Sequence, residues 1–268
     1  MKQEHHLSAP YNTIAQQLGL QANDCLMIAS DVTRLALTAK KEGTAFSADR
    51  FVDSFLTVLS EGTLIIPAYS DYLKNGQTFD WKTAKPSTGA LSNKVMRRKD
   101  FIRTKDPLHS VFVKGTATSS IEKLKDISTF GENSIFGFME RKAAKMLIID
   151  VDFQHSFTYI HYLEEKWQVK YRQKYTWNLF VYDGEQTKKR EFHFYAKKLG
   201  ILTDLEKYEA FLLESGVTKR FYYGEIPMTL VSLDQIETAT KEFLKKGGKL
   251  YRFSFPFMLK TLAKRILN

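Results

Sequence analysis

Met146-Leu147-Ile148-Ile149-Asp150-Val151 is an apolar run of strand length, and Phe157-Thr158-Tyr159-Ile160-His161-Tyr162-Leu163-Glu164-Glu165 follows it with the pattern of a helix's first turns. A buried strand feeding a helix is the unit of an α/β layer fold. In a helix, the three-residue step from His161 to Glu164 sets an imidazole and a carboxylate on one face. Such a pair can act as a general base with its orienting partner.

Working outward, apolar runs recur at Leu26-Met27-Ile28-Ala29, Thr63-Leu64-Ile65-Ile66-Pro67 and Val111-Phe112-Val113, with helical patterns between them. From Ser47 to Leu59, Phe51, Phe55, Val58 and Leu59 fall at helical spacing behind a Ser47 N-cap, and Gly62 is expected to end that helix. Beyond residue 166 the texture becomes aromatic and alternating. Tyr175 to Tyr182, the turn Asp183-Gly184 and Glu191 to Tyr195 predict a hairpin. A helix from Asp204 to Leu213, a strand pair between Arg220 and Leu233 and two basic helices complete the chain. No Pro/Gly linker or repeat divides it, so the expectation is one α/β domain over residues 1–268, with a mixed central sheet, flanking helices and a β-rich subregion in the second half.

With 43% hydrophobic residues, 268 residues are enough for a packed core. The N-terminal residues lack a signal-peptide h-region, His5 and His6 read as part of a frayed terminus, and no apolar run approaches the roughly eighteen residues of a membrane span. A cytoplasmic protein is expected. Cys25, the only cysteine, allows neither an internal disulfide nor a multi-cysteine zinc site, and its apolar surroundings suit a small buried hydrophobe better than a nucleophile. Forty Lys and Arg against thirty Asp and Glu give a net charge of +10, which favours anionic partners such as phosphorylated cofactors, nucleotide sugars, nucleic acid or acidic membranes. No zinc-finger spacing or RNP-type motif accompanies the charge, and nucleic acid is not expected. Dinucleotide fingerprint, P-loop, nucleophile elbow and H-E-x-x-H are all absent, and no metal is expected.

Three segments look suited to a site. Leu26 to Thr33 ends a strand in Ser30, Asp31 and Thr33, which either cap the next helix or hold a ligand. Arg103-Thr104-Lys105-Asp106-Pro107-Leu108-His109-Ser110-Val111 is a polar turn pinned by Pro107 ahead of a strand. The third holds His161 and Glu164, where a hydrogen-bonded core histidine is the plainer alternative.

Together these segments resemble the aminoglycoside 3-N-acetyltransferase family, whose fold differs from that of the commoner GNAT acetyltransferases. The resemblance runs in order through Leu18-Gly19…Asp24, Gly62 to Pro67, Phe79-Asp80…Pro86-Ser87-Thr88-Gly89-Ala90-Leu91, Arg97-Arg98…Arg103-Thr104…Pro107-Leu108-His109-Ser110, Gly115, Ser134…Phe136-Gly137 and Thr158-x-x-His161-x-x-Glu164. It implies an acetyl-CoA-dependent N-acetyltransferase with a small-molecule amine acceptor, an amino sugar or an aminoglycoside. His161 is then the base in a direct transfer and Glu164 its orienting acid, expected to raise the histidine's pKa. Thr158 either caps the helix or touches the acceptor. The resemblance also implies that Ser30, Asp31, Val32, Pro107, Leu108 and Ser110 line the pantetheine arm of CoA, with oxyanion donors among the backbone N–H groups near Ser30 to Val32 or Ser110. Arg103 either meets the cofactor's phosphates or fixes its loop.

The chain departs from the family pattern at Ala29-Ser30-Asp31-Val32, where a His-Ser-Ser-Leu loop is frequent, at Asp106-Pro107, where His-Pro is frequent, and at His155, where an acid is frequent. A net charge of +10 suits a polycationic aminoglycoside poorly and points instead to an amino sugar of surface-polysaccharide synthesis, carried or not on a nucleotide diphosphate. The competing expectation is a family member that has lost turnover and serves as a binding protein. Trp177, Phe192, Phe194, Tyr222 and Tyr223 read either as core or as a stacking surface for a sugar ring.

Overall fold

The computed structural model describes residues 5–125, 127–182 and 184–266. In chain order its strands are β1 (His5–Leu7), β2 (Cys25–Ser30), β3 (Thr63–Pro67), β4 (Thr78–Asp80), β5 (Ile102–Arg103), β6 (Val111–Gly115), β7 (Lys145–Ile149), β8 (Arg172–Tyr182), β9 (Thr187–Lys197), β10 (Ile201–Thr203), β11 (Thr218–Tyr223), β12 (Ile226–Ser232) and β13 (Tyr251–Phe253). Eight of them form a mixed sheet in the order β1-β11-β12-β7-β2-β3-β6-β5. At its centre β2 runs parallel to β7 and β3, while β12 and β6 flank that trio in the opposite direction.

The central strands are apolar on both faces, as a sheet covered by helices on both sides requires. Leu26 and Ile28 share one face with Leu64, Ile66, Leu147 and Ile149, beneath Leu35 and Phe51 of the helices Thr33–Lys41 and Ala48–Val58. Met27, Ile65, Met146 and Ile148 occupy the other, beneath Ile160 and Leu163 of Tyr159–Lys166, Tyr208 of Glu206–Glu214 and Phe243 of Ile236–Lys245. Each such side chain removed from water contributes about 1.5–3 kcal/mol.

Ser47 caps Ala48–Val58 by accepting from the Arg50 N–H, as expected. Gly62 has a different role from the one expected: Leu59 already closes the helix, and a Cβ on Gly62 would lie 2.2 Å from the Asp24 carbonyl oxygen. Close approach of two backbones requires that glycine. The N-terminal histidines belong to the sheet, with His5 and His6 on β1 registered against Phe221 and Tyr222 of β11.

The β-rich subregion is a second sheet, β4-β8-β9. Its hairpin pairs Arg172 with Lys197 at one end and Tyr182 with Thr187 at the other, longer than the sequence suggests; Asp183 lies outside the described residues. Phe79, Leu179, Val181 and Phe192 bury its inner face with Leu73 and Leu108. β10 and β13 form a separate pair. Among the described residues no helix is long and apolar enough to cross a membrane.

Candidate active site

Because β2, β3 and β7 are parallel, the segments that leave their carboxyl ends gather on one edge of the sheet, and antiparallel β6 begins there. Ser30-Asp31, Tyr69 to Asp71, Asp150 to Thr158 and His109-Ser110 thus converge although distant in sequence, at the edge where α/β folds commonly bind ligands. A cavity of about 600 Å³ opens there, lined by Ser30, Asp31, Ser87, Thr88 and Gly89. A second, of about 420 Å³, lies toward the hairpin and includes Trp177, Phe194, Lys197 and Lys198. Asp71, His109 and His161 line both.

His161 Nδ1 lies 2.7 Å from Glu164 Oε2, within the helix Tyr159–Lys166. The carboxylate is 1% exposed and has two further partners: Tyr171 donates its hydroxyl to Oε1 at 2.7 Å, and Arg172 Nε lies 2.6 Å from Oε2. Burial pushes Glu164 toward the neutral acid, but the His161 hydrogen bond, Arg172 and Tyr171 outweigh it and hold its pKa below the ordinary carboxylate value. Tyr171 remains a donor, its phenol pushed up by burial and by Glu164.

Arg172 Nη2 also approaches His161 Nδ1, at 2.7 Å. One nitrogen cannot donate to Glu164 and accept from Arg172 at once. The carboxylate can only accept and the guanidinium can only donate, so the two contacts are alternatives; the hydrogen bond that acts on His161 is the one to Glu164, which assigns the proton to Nδ1, while Arg172 acts through its charge. Nε2 is left as the nitrogen with the lone pair. The pKa of His161 falls below that of a free histidine: burial is the largest cause, Glu164 opposes it, and Arg172 and Lys197 reinforce it. Glu164 raises the value as the sequence-based expectation had it; burial, which the sequence does not show, and then the two cations outweigh it.

His109 is buried and neutral, pushed down to about 3 by burial and by His161. Its Nδ1 meets Thr129 Oγ1 at 2.7 Å and its ring packs against Tyr69 and Phe130. Asp106 Oδ1 fixes the loop before it by accepting from the N–H groups of Leu108 and His109 at 2.8 and 2.7 Å. Thr158 occupies the N-cap position without a side-chain capping bond and pairs with Tyr69. His155 borders the larger cavity, with Asp152 Oδ1 2.7 Å from its Nδ1.

The residues expected around the cofactor divide. Ser30 and Asp31 line the larger cavity. Val32 is buried in the core, and Pro107 is buried in its loop; Leu108 lines the hairpin-side cavity instead. Ser110 is fully buried, donating to the Ala68 carbonyl at 2.7 Å and accepting from Arg103 Nε at 3.1 Å. Arg103 is 6% exposed and donates also to the carbonyls of Ala68, Trp81 and Ala84. It fixes the loop, and lines neither cavity. The Asp31 N–H is committed to the Ile149 carbonyl at 2.9 Å, which removes it from the expected oxyanion donors.

Arg172, Tyr171, Tyr69 and Asp71 escaped the sequence analysis. Arg172 and Tyr171 follow Glu164 within eight residues, but a basic residue in a Lys-rich chain carries little signal. Asp71 follows β3 by four residues, a position only the sheet topology makes meaningful. Cys25 is inert, its thiol pushed up to about 12 by burial. Trp177 and Phe194 line a cavity with ring centroids 5.1 Å apart, whereas Phe192 and Tyr223 are core and Tyr222 stacks on His6. Among the described residues no group of His, Cys, Asp and Glu is arranged to hold a metal.

A parallel-centred mixed sheet joined to a second, smaller sheet is the fold this chain shares with solved aminoglycoside acetyltransferases. The sequence model described as aminoglycoside 3-N-acetyltransferase matches residues 36–245, and the chain belongs to that family. Solved structures with this fold include AAC-IIIb in a binary complex with CoASH, 17% identical over 92% of this chain and 97% of that one with a TM-score of 0.72. Sisomicin-bound AAC-VIa is 15% identical over 89% and 97%, at 0.73. YokD from Bacillus subtilis is 16% identical over 88% and 99%, at 0.69. No curated protein sequence matches the chain.

Proposed function

We propose that the protein is an acetyl-CoA-dependent N-acetyltransferase acting on an amine of an amino sugar, with His161 as general base in a direct transfer. One observation carries this reading: His161 stands where the two cavities meet, its Nδ1 committed to Glu164 and its Nε2 carrying the lone pair. A pKa below the free value keeps that nitrogen unprotonated at neutral pH.

Small and hydroxyl-bearing residues at Ser30, Ser87, Thr88 and Gly89 give the larger cavity room and polar groups for a pantetheine arm, and the CoASH complex of AAC-IIIb supports CoA as the donor's carrier. The acceptor would then enter from the hairpin side. Asp71, common to both cavities, attracts the acceptor's ammonium group. His161 Nε2 takes one proton from that ammonium group to give the nucleophilic amine; as the amine nitrogen bonds to the thioester carbonyl carbon the carbon–sulfur bond breaks, and the leaving thiolate of CoA takes up the second proton that the nitrogen loses. Glu164 balances the imidazolium formed. Retention of the complete His161–Glu164 pair favours turnover over a purely binding role.

Release of free thiol from acetyl-CoA across a panel of amino sugars, nucleotide-linked amino sugars and aminoglycosides, with wild type beside His161→Ala, tests the reading. Turnover that collapses in the variant is the expected outcome. Thiol release that survives the substitution would overturn the assignment of the base.

A further inference from the structure

The hairpin-side cavity has the wrong charge for a polycation. Arg172 at its inner end is balanced by Glu164, but Lys197 and Lys198, at the end of β9 and just beyond it, have no carboxylate partner among the described residues. The Lys197 ammonium is held by Thr203 Oγ1 at 2.9 Å, a neutral acceptor, and Lys197 also borders a neighbouring cavity lined by Asp152, Asp204, Glu206 and Glu209. Among the described residues, the one carboxylate lining the hairpin-side cavity is Asp71, at the junction with His161. One cavity thus carries a carboxylate beside the base and a pair of lysines near the foot of the hairpin, where Lys197 is registered opposite Arg172. Trp177 and Phe194 line the same cavity as an aromatic pair tilted by 36°. A cavity of about 420 Å³ is within the range that encloses a small ligand.

We infer that the acceptor is an amino sugar carrying a phosphoryl group, with its amine directed to Asp71 and His161, its ring against Trp177 and Phe194, and its phosphate read by Lys197 and Lys198. The inference rests on the proposed acetyl transfer and adds the acceptor's anionic end. A phosphate dianion gains charge-assisted hydrogen bonds from two ammonium groups, whereas an aminoglycoside would bring further ammonium groups against them. The same chemistry fits a sugar 1-phosphate and a nucleoside-diphosphate sugar.

The test compares one amino sugar in three forms, as methyl glycoside, 1-phosphate and uridine-diphosphate derivative, beside sisomicin, using wild type and the double variant K197Q/K198Q. Thiol release is measured together with calorimetric affinity for each acceptor in the presence of CoA. Two charge-assisted contacts predict a kcat/KM ratio of about a hundredfold between phosphorylated and methyl forms, falling to near unity in the double variant. Preference for the 1-phosphate or for the nucleotide form identifies which of the two the cavity takes. Equal use of the methyl glycoside, a preference for sisomicin, or a loss in the double variant confined to the KM of acetyl-CoA would overturn the inference. The calorimetric ratio separates the two proposals: phosphate-selective binding lost with the lysines sustains the inference even where no thiol is released, a result that would contradict only the proposed transfer.

Discussion

Glu164 and His161 lie three residues apart on one helix, and the carboxylate oxygen 2.7 Å from the imidazole Nδ1 is also the one that Arg172 Nε approaches at 2.6 Å. One oxygen thus fixes the tautomer of the proposed base and anchors the cation that lowers its pKa. The same buried group orients the imidazole and, behind burial, helps to set its basicity.

Glu164→Gln separates these roles. The amide preserves shape but can donate to Nδ1, which moves the imidazole proton to Nε2 and removes the lone pair the reaction needs. A fall in kcat of about 10²-fold or more is expected. Arg172 also loses its buried counter-ion, which costs about 3–5 kcal/mol. Steady-state kinetics and urea unfolding read the two effects, and unchanged kcat in the folded variant would contradict the tautomer argument.

Arg172 makes the pH dependence specific. With the His161 pKa lowered, the acid limb of kcat/KM lies below the ordinary histidine value of about 6.5. Removing the cation in Arg172→Gln stabilises the imidazolium, so the limb moves to higher pH. A limb that stays in place would mean that Arg172 does not act on the base.

Arg103 is expected to matter for stability alone. A lysine in its place cannot bond simultaneously to Ser110, Ala68 and the Trp81–Ala84 segment, and the buried carbonyls left unpaired predict a loss of about 3 kcal/mol or more. KM for acetyl-CoA should stay within about twofold in the folded R103K enzyme. A large rise in that KM would restore the phosphate-binding role.

His109 predicts acid sensitivity of the fold. Its pKa is about 3 in the folded chain and about 6.5 when unfolded, so between those values the unfolded state binds the extra proton. Stability is therefore lost as the pH falls from about 6.5 toward about 3, by at most about 1.4 kcal/mol per pH unit. The unfolding free energy of His109→Asn, followed over this window, should decline less steeply than that of wild type; parallel curves would contradict the prediction.

Local patterns made much of this legible. Apolar runs marked β2, β3, β6 and β7, helical spacing placed His161 over Glu164, and the Asp183-Gly184 turn signal located the hairpin. What the sequence concealed depends on contacts between distant segments. Arg103 and Ser110 sit in a loop that resembles a ligand loop, and only the three-dimensional path shows their polar atoms turned inward. The direction of the His161 shift required knowing that burial, Arg172 and Lys197 together outweigh a carboxylate one turn away.

The central claim is that His161 supplies the base, and chemical rescue tests it most directly. His161→Gly should lose about 10²- to 10⁴-fold in thiol release while still binding acetyl-CoA. Added imidazole should restore part of the rate in proportion to its unprotonated fraction. Wild-type turnover in the glycine variant, or a variant that binds both substrates yet gains nothing from imidazole at any pH, would contradict the account.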